Sequence, residues 1–275
     1  MKVYKVSLII MIILGIVFIG NSDPMKNLYK NSASIVTGLK IDDKNKDSSK
    51  KESTNENEKE KSEKKLEKYL ICIDPGHQDK GDWKSEPIGP GSSYQKARVS
   101  SGTVGISTKK PEYVLNLEAS KVLKHILISK GFEVIMTRES HDVNISNLER
   151  ATFANDNNAN MVIRIHADGS DDTSITGASI LIPSQKGKYT SSIFEASYEC
   201  ADLIKNKMDN GGFKVNGVFE RDDLTGFNWS KVPVVLVEMG FMSNYNEDEM
   251  MSNKEYQKKM MQSIADGVED YFQAN

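Results

Sequence analysis

A single α/β domain is predicted for residues 69–275, because strand-like and helix-like segments alternate along that part of the chain. Short runs rich in β-branched residues at 70–73 and 161–165 predict buried strands. Residues 112–129 place apolar side chains at helical spacing and stop at Lys130-Gly131, which is typical of a helix and its end. Together these segments indicate a sheet whose strands are connected through helices.

The individual elements follow from the same two periodicities, taken in chain order. Strands are predicted at 69–74, 132–137, 161–165, 178–182 and 232–238. Helices are predicted at 112–129, from 146 to about 157, at 191–208 and within 247–272. The second helix has the clearest start, since Ser146 precedes Glu149 by three positions, the spacing of a capping box.

A long connection, residues 78–110, separates the first predicted strand from the first helix and is rich in Gly, Pro and Ser. A loop of that length inside a compact domain usually borders a functional site. We therefore expect this loop to shape a groove for a substrate or a surface for a partner.

The N-terminal part of the chain differs from the rest in composition. Lys2 and Lys5 precede an apolar stretch at 8–19, a pattern that predicts an export signal over residues 1–22. Cleavage as a signal peptide and retention as a membrane anchor both stay open. Residues 23–68, whose second half is almost wholly Lys, Glu, Asp, Ser and Asn, are predicted to form a disordered charged linker. Membrane contact is expected only through the N-terminal segment.

Charge and cysteine content exclude two classes of function. The formal net charge is -3 and no basic stripe interleaved with aromatic residues is present, which argues against nucleic acid as a partner. Cys72 and Cys200 are the only cysteines and are not spaced as a CxxC pair. Sulfur ligation of a metal and a disulfide framework are therefore not expected, and both side chains are predicted to pack in the core.

Four residues have the chemistry and the positions of a zinc site. His77 in IDPGH and His166 in IRIHAD follow predicted strands, Glu112 begins the helix at 112–129, and Glu238 ends the strand VVLVE. Open α/β sheets place their sites at the carboxyl ends of strands. Catalytic zinc takes three protein ligands of the histidine and carboxylate type and keeps a fourth position for water. The set predicts a zinc-dependent reaction centre.

Six ordered motifs extend this pattern across most of the chain. They are IDPGH at 73–77, ExxxNL at 112–117, GFEVIMTR at 131–138, ERATFAN at 149–155, IRIHAD at 163–168 and VPVVLVEMGFMSN at 232–244. In these motifs the chain from residue 69 resembles the zinc-dependent N-acetylmuramoyl-L-alanine amidases of the amidase-3 family, bacterial cell-wall hydrolases. The resemblance implies a mixed, mostly parallel sheet flanked by helices on both faces.

Carried over by motif, the resemblance implies one zinc ion per catalytic domain, held by His77, Glu112 and His166, with Glu238 as general base and acid. It implies hydrolysis of the amide between N-acetylmuramic acid and L-alanine in peptidoglycan by zinc-activated water. The enzyme would act on the outer face of the membrane or in the cell wall, in vegetative wall remodelling or on spore cortex. A partner protein that loads zinc or activates the enzyme stays open.

Other acidic, histidine and arginine side chains compete with these candidates. Glu118 rivals Glu112 as the carboxylate ligand, but the family glutamate stands four residues before the Asn-Leu pair, here Asn116-Leu117. Two carboxylates six residues apart on a helix cannot face one metal. His125, His141 and the arginines at 138, 150 and 164 are expected to be structural or solvated.

Two other classes of function compete with the amidase. A stem-peptide carboxypeptidase usually carries a carboxylate three residues after its first histidine, where this chain has Lys80. A non-catalytic wall-binding protein would have lost ligands, and all four candidates are present. Asp168 departs from the HAN sequence of many relatives and adds a carboxylate beside His166.

Overall fold

The computed structural model describes residues 69–275. The strands are β1 Leu70–Pro75, β2 Asp82–Pro87, β3 Gln95–Val99, β4 Glu133–Met136, β5 Met161–Asp168, β6 Ala178–Pro183, β7 Val215–Arg221 and β8 Val234–Phe241. The helices are α1 Glu112–Ser129, α2 Asn147–Asp156, α3 Phe194–Asn210, α4 Thr225–Asn228, α5 Tyr245–Ser252 and α6 Lys254–Ala274. The predicted leader at 1–22 and linker at 23–68 lie outside the described residues.

Six strands form one sheet in the order β4-β1-β5-β8-β6-β7. All neighbouring strands are parallel except β6 and β8, which run antiparallel with Ile180 opposite Val237. The predicted mixed, mostly parallel sheet is therefore confirmed. Because β1, β5 and β8 are parallel neighbours, their carboxyl ends meet at one edge, where ligands bind in such sheets.

Helices cover both faces of the sheet, as predicted. On one face, β1, β5 and β8 direct alternate apolar residues such as Ile73, Ile163 and Val237 into a core with α1, α3 and α6. On the other face, residues such as Cys72 and Val162 join a smaller core that includes Phe227 of α4. Burial on both faces explains why the central strands read as continuous apolar runs rather than as alternating ones.

Local sequence signals determine where the helices near the site begin. Pro111 precedes α1 and leaves Glu112 in its first turn, where proline geometry and a carboxylate both suit a helix start. The predicted capping box of α2 is present, with Ser146 accepting from the Glu149 amide and Glu149 accepting from the Ser146 amide. The predicted bounds of α1 are confirmed at both ends.

The predicted loop at 78–110 is partly wrong, because β2 and β3 form an antiparallel hairpin within it. Its stability comes from contacts remote in sequence: Arg98 bonds Glu149 of α2, and Trp229 donates to the Pro87 carbonyl. β7 and α4 were not predicted either. The C-terminal helical region is divided at Asn253, whose side chain caps α6.

Cys72 and Cys200 are both free and buried, as predicted. Among residues 69–275, no helix combines the length and apolarity that a membrane crossing requires.

Candidate active site

The four predicted site residues converge at the carboxyl edge of the central strands. His77 lies two residues beyond β1, and His166 and Glu238 stand opposite each other on the neighbouring strands β5 and β8. Glu112, the first residue of α1, completes the group. The sheet edge at the carboxyl ends of β1, β5 and β8 thus brings together residues as far apart in the chain as His77 and Glu238, which are 161 positions apart.

Three of these residues form a tight cluster. Nε2 of His77 lies 3.1 Å from Oε1 of Glu112, and Nδ1 of His166 lies 3.3 Å from the same oxygen. One ligand atom from each residue lies within 4.8 Å of the others. The two imidazole rings stand nearly perpendicular, with centroids 4.9 Å apart. Both rings therefore direct a nitrogen toward one carboxylate from different sides.

Neighbouring groups orient the three side chains. Nδ1 of His77 lies 2.9 Å from the Ser100 carbonyl, to which it donates, so its Nε2 lone pair faces Glu112. This tautomer follows from the hydrogen bond. The backbone amide of Thr103 donates to Oε2 of Glu112 at 3.0 Å, and the side-chain amide of Asn116 donates to Oε1 at 3.0 Å. Such partners behind the ligands set their geometry in metal sites.

Protonation states in the cluster suit metal ligation. Burial by itself would raise the pKa of Glu112, but the close approach of His166 and His77 outweighs it and holds that pKa well below its usual range. Burial lowers the pKa of His166 to about 4, despite the neighbouring Glu112 carboxylate. At neutral pH Glu112 is thus ionised and His166 is a neutral imidazole, the forms in which these groups bind metals.

Glu238 has a different environment from Glu112. Its Oε2 is inaccessible to solvent and has no hydrogen-bond partner among residues 69–275. Burial, together with the charges of Glu112 and Asp168, raises the pKa of Glu238 well above its usual range. In many active sites two carboxyl groups have very different pKa values. One of them then acts as a ligand or charge stabiliser, and the other carries a proton.

The donor set fits a zinc ion. Two imidazoles and a carboxylate are a common catalytic ligand set for this metal. Nε2 of His77 and Nδ1 of His166 approach the same oxygen of Glu112, so donor atoms from all three side chains converge on one point, as metal binding requires. Nε2 of His166 is buried without a hydrogen-bond partner in the described part of the chain. Exposed acidic side chains alone would show neither feature.

The backbone at His77 has an unusual conformation. His77 has a φ of 59°, in the left-handed region that non-glycine residues rarely occupy. Arg150 donates to its carbonyl at 2.9 Å, and Arg138 donates to the Gly76 carbonyl at 2.9 Å. A Cβ on Gly76 would overlap the His166 ring, so glycine is required for the close approach of these two segments.

Arg150 and Arg164 belong to a buried network around Asp74. Arg150 and Arg164 each lie 2.8 Å from this carboxylate, and Thr137 donates a hydroxyl hydrogen bond to it. Although burial opposes ionisation, the two guanidinium charges hold the pKa of Asp74 well below its usual range. Arg138, Arg150 and Arg164 therefore have structural roles. They support the backbone that carries His77 and are not among the residues that line the cleft.

The rival residues lie outside the cluster. Glu118 is exposed on α1 and pairs with Lys110 at 2.6 Å. His125 is exposed on the same helix, and His141 stacks edge-on against Tyr113. Sequence reasoning did not identify Ser100 or Thr103, which act through backbone groups that any residue carries. Their location in the long segment at 78–110 was the only available signal.

A cleft of about 510 Å³ opens over the cluster. Its lining includes His77, Thr103, Glu112 and Glu238, together with the segment 168–171 and Ser243. Asp168, the departure from the HAN sequence, adds a carboxylate to this lining. The cleft is lined mainly by polar groups, which suits a hydrated polymer better than a lipid.

Comparison with known proteins shows what the sequence and the fold of this chain are similar to. A family model described as N-acetylmuramoyl-L-alanine amidase matches residues 71–270. The amidase AmiA of Escherichia coli is 26% identical over 242 residues, covering 74% of this chain and 76% of that protein. The amidase Rv3717 of Mycobacterium tuberculosis is 26% identical over 209 residues, covering 72% and 84%. The crystal structure of apo Ami1 from Mycobacterium abscessus has a TM-score of 0.67 and 26% identity, covering 74% of this chain and 98% of that one.

Proposed function

This chain belongs to the N-acetylmuramoyl-L-alanine amidase family, and from that premise we propose that His77, Glu112 and His166 hold its zinc ion and that Glu238 moves the proton. The chain is a peptidoglycan amidase. The observation that carries the assignment of residues is the approach of both imidazoles to one ionised carboxylate, with Glu238 beside them. One ion per catalytic domain is sufficient for this arrangement.

The substrate is the amide between the lactyl group of N-acetylmuramic acid and the first L-alanine of the stem peptide. Hydrolysis adds hydroxyl to the lactyl carbonyl carbon and a proton to the departing amine of L-alanine. A bound zinc ion supplies a Lewis acid that makes water nucleophilic near pH 7 and polarises a carbonyl group. The residues around it must orient the ligands and move one proton from the water to the amine.

Orientation is the task of the groups behind the ligands. The Ser100 carbonyl oxygen lies 2.9 Å from Nδ1 of His77 and accepts its proton in a hydrogen bond. This leaves Nε2 of His77 free to bind the metal. The Thr103 and Asn116 donors hold the two oxygens of Glu112 in place. Because these contacts are already made, ligand binding requires little rearrangement of the site.

Glu238 lines the cleft opposite His166 on the neighbouring strand and carries the proton. Burial and the charges of Glu112 and Asp168 raise the pKa of Glu238. A raised pKa makes the carboxylate a stronger base toward water and keeps the acquired proton available for the leaving amine. Glu238 thus acts first as general base and then as general acid.

The proposal also covers the place where the enzyme acts and its biological role. Action on the cell wall agrees with the family. Residues 1–22 would direct the enzyme outward as a signal peptide or an anchor, residues 23–68 would tether the domain, and residues 69–275 would be the catalytic unit. Vegetative wall remodelling and spore-cortex processing are both compatible with this organisation.

The test is digestion of purified peptidoglycan by the full chain, with zinc and after treatment with a chelator. We expect soluble peptides that begin with L-alanine, identified by mass spectrometry. Glu238→Gln should reduce the rate at least about 100-fold, the usual contribution of a general acid or base. Glu118→Gln, which changes an exposed carboxylate on the same helix as Glu112, is the matched control and should retain the rate.

Other products would lead to different conclusions. Cleavage inside the stem peptide would reassign the chain to the carboxypeptidases. Binding to peptidoglycan without cleavage, even with zinc, would indicate a wall-binding role or a required activating partner. Full activity of Glu238→Gln would rule out the proposed proton carrier.

A further inference from the structure

Within residues 69–275, the cleft over the candidate metal site is lined by four carboxylates and by no lysine or arginine. The carboxylates belong to Glu112, Asp168, Asp171 and Glu238. His166 lines the same space, is only 9% exposed and has a buried Nε2 without a hydrogen-bond partner in this part of the chain. The carboxylates therefore belong to a binding cleft and not to open surface, and a substrate that enters it meets their charge.

The guanidinium groups nearest to this lining are bound to carboxylates of their own. The charges of Arg164 and Arg221 act on Glu238. Arg164 is buried and lies 2.8 Å from the Asp74 carboxylate, and Arg221 donates to both oxygens of Asp223 at 2.7 and 2.9 Å. Among the groups that line the cleft, three carboxylates exceed the two positive charges of a divalent ion even when Glu238 is protonated.

Asp168 lies on the side of the cleft where the leaving amine must be protonated. His166 stands opposite Glu238 on the neighbouring strand, and successive side chains of a strand point to opposite faces. Asp168 therefore projects from the same face as His166, while Ala167 between them packs in the main core. A proton donor must reach the nitrogen of L-alanine, so the stem peptide begins beside Glu238, where the charge of Asp168 is felt.

The stem peptide carries an ionisable group close to the scissile bond. Its second residue is a D-glutamate joined onward through the γ-carboxyl, so its α-carboxyl is either free or amidated. That carboxyl is attached to a Cα only about 3.8 Å from the Cα of L-alanine. A sphere with the volume of the cleft is about 10 Å across, no wider than the Debye length at about 0.1 M salt. A free α-carboxylate is therefore repelled by the lining, whereas a carboxamide is not.

We propose that Asp168 and Asp171 make the enzyme selective for stem peptides with D-isoglutamine at the second position, by repelling the ionised α-carboxylate of D-glutamate. This inference rests on the proposed function, since it takes Glu238 as the group that faces the leaving amine. It adds the class of peptidoglycan that the enzyme prefers. It also gives Asp168, the departure from the HAN sequence of many relatives, a role that asparagine does not perform.

The test compares two muramyl dipeptides, N-acetylmuramoyl-L-alanyl-D-isoglutamine and N-acetylmuramoyl-L-alanyl-D-glutamate, as substrates of the full chain with zinc. For the parent, kcat/KM should be about fivefold higher on the isoglutamine compound, the scale of one charge contact at a partly exposed site. Asp168→Asn and Asp171→Asn should each lower this ratio toward one, and the double variant should lower it most. Changes in Glu238 or in the metal site affect both substrates and cancel in the ratio.

The matched control is Glu199→Gln, which removes one exposed carboxylate from α3, on the face of the sheet opposite to His166. Its ratio should equal that of the parent. Raising the ionic strength to about 1 M shortens the Debye length to about 3 Å and should also bring the parent ratio toward one. A parent ratio of one or below, or a ratio that Asp168→Asn and Asp171→Asn leave unchanged, would overturn the charge selection.

Calorimetric binding of the two dipeptides to Glu238→Gln with zinc gives a second readout that needs no turnover. The isoglutamine compound should bind about fivefold more tightly, and adding Asp168→Asn and Asp171→Asn should remove the difference. Equal affinity, or no binding of either compound, would count against the proposal even if the parent cleaves peptidoglycan. A parent that binds with the expected preference but cleaves no peptidoglycan would instead contradict the proposed function.

Discussion

Glu112 is the residue on which the geometry of the candidate metal site depends most. It contacts both histidines, and its two oxygens accept from the Thr103 amide, the Asn116 side chain and the Ala167 amide. Every one of these donors reduces the freedom of the carboxylate to rotate away from the histidines. The sequence position of Glu112 at the start of α1 makes this possible, since Asn116 lies one turn further along the same helix.

Asn116→Ala should weaken zinc binding by about 10-fold or more, because partners behind metal ligands contribute on that scale. The measurement is a competition titration with a chromogenic chelator. Ser120→Ala, one turn further along α1, is the matched control: Ser120 is buried, and its hydroxyl has no hydrogen-bond partner among residues 69–275. Equal zinc affinity in the two variants would contradict the role of Asn116.

At the scale of elements, the connections between strands and helices shape the site more than the strands do. The end of β1 is held by the network of Asp74 with Arg150 and Arg164. The segment between β3 and α1 is held from the other side by Asp248 of α5, whose carboxylate accepts from the amides of Ser107 and Thr108. Both anchors act at a distance from the ligands that they support.

Asp74→Asn should destabilise the fold by about 3 kcal/mol or more, because it leaves two buried guanidinium groups without their anion. The depressed pKa of Asp74 stabilises the folded state above the unfolded pKa of about 3.9, and this contribution is lost as the pH falls toward the folded pKa. The difference in unfolding free energy between parent and variant should therefore shrink below about pH 4.

Denaturant unfolding at several pH values measures this difference. Asp142→Asn, an exposed aspartate in the segment before α2, serves as control and should change stability little. A parent and an Asp74 variant with parallel pH dependence would contradict the assignment of the ion pairs.

Asp248→Ala should release the segment before α1, since Asp248 is fully buried and also accepts from the Thr108 hydroxyl at 2.7 Å. Hydrogen exchange at the amides of Ser107 and Thr108 should accelerate, while the amides of β5 keep their protection. Glu249→Ala is the matched control, because Glu249 is exposed and accepts from the Ser107 hydroxyl at the surface. Similar exchange in both variants would show that Asp248 is not the anchor.

At the scale of the whole molecule, the site joins elements that belong to separate parts of the chain. The loop after β1, the start of α1, β5 and β8 each contribute one residue, and two hydrophobic cores hold the sheet that aligns them. A zinc ion bound by the folded arrangement alone would therefore stabilise the domain as a unit.

Zinc at 100 times its dissociation constant should raise the unfolding free energy by about 2.7 kcal/mol, as mass action requires. Thermal unfolding with zinc and after chelation measures the change as a shift in Tm. The shift should be absent in His77→Ala and retained in His125→Ala, which alters an exposed histidine on α1. A shift that survives in His77→Ala would place zinc elsewhere.

Most of the α/β fold could be predicted from residue order. The periodicities predicted α1 at its observed bounds, the capping box of α2 and five of the six strands of the main sheet. β7 was not predicted, because Gly217 and the polar residues of this strand interrupt the alternation of apolar and polar side chains. The hairpin of β2 and β3 was not predicted, because the residues that stabilise it, such as Glu149 and Trp229, are remote in sequence.

The sequence by itself determined the chemistry of the site: two histidines and two glutamates, each attached to a strand end or a helix start by its local pattern. Only the tertiary structure decided how closely the two histidines approach Glu112 and which backbone groups orient these side chains. Local patterns reflect neighbours within one or two turns, whereas hydrogen bonds such as that from Ser107 to Asp248 join residues 141 positions apart. Their partners are selected by packing of the sheet and helices, which no single segment encodes.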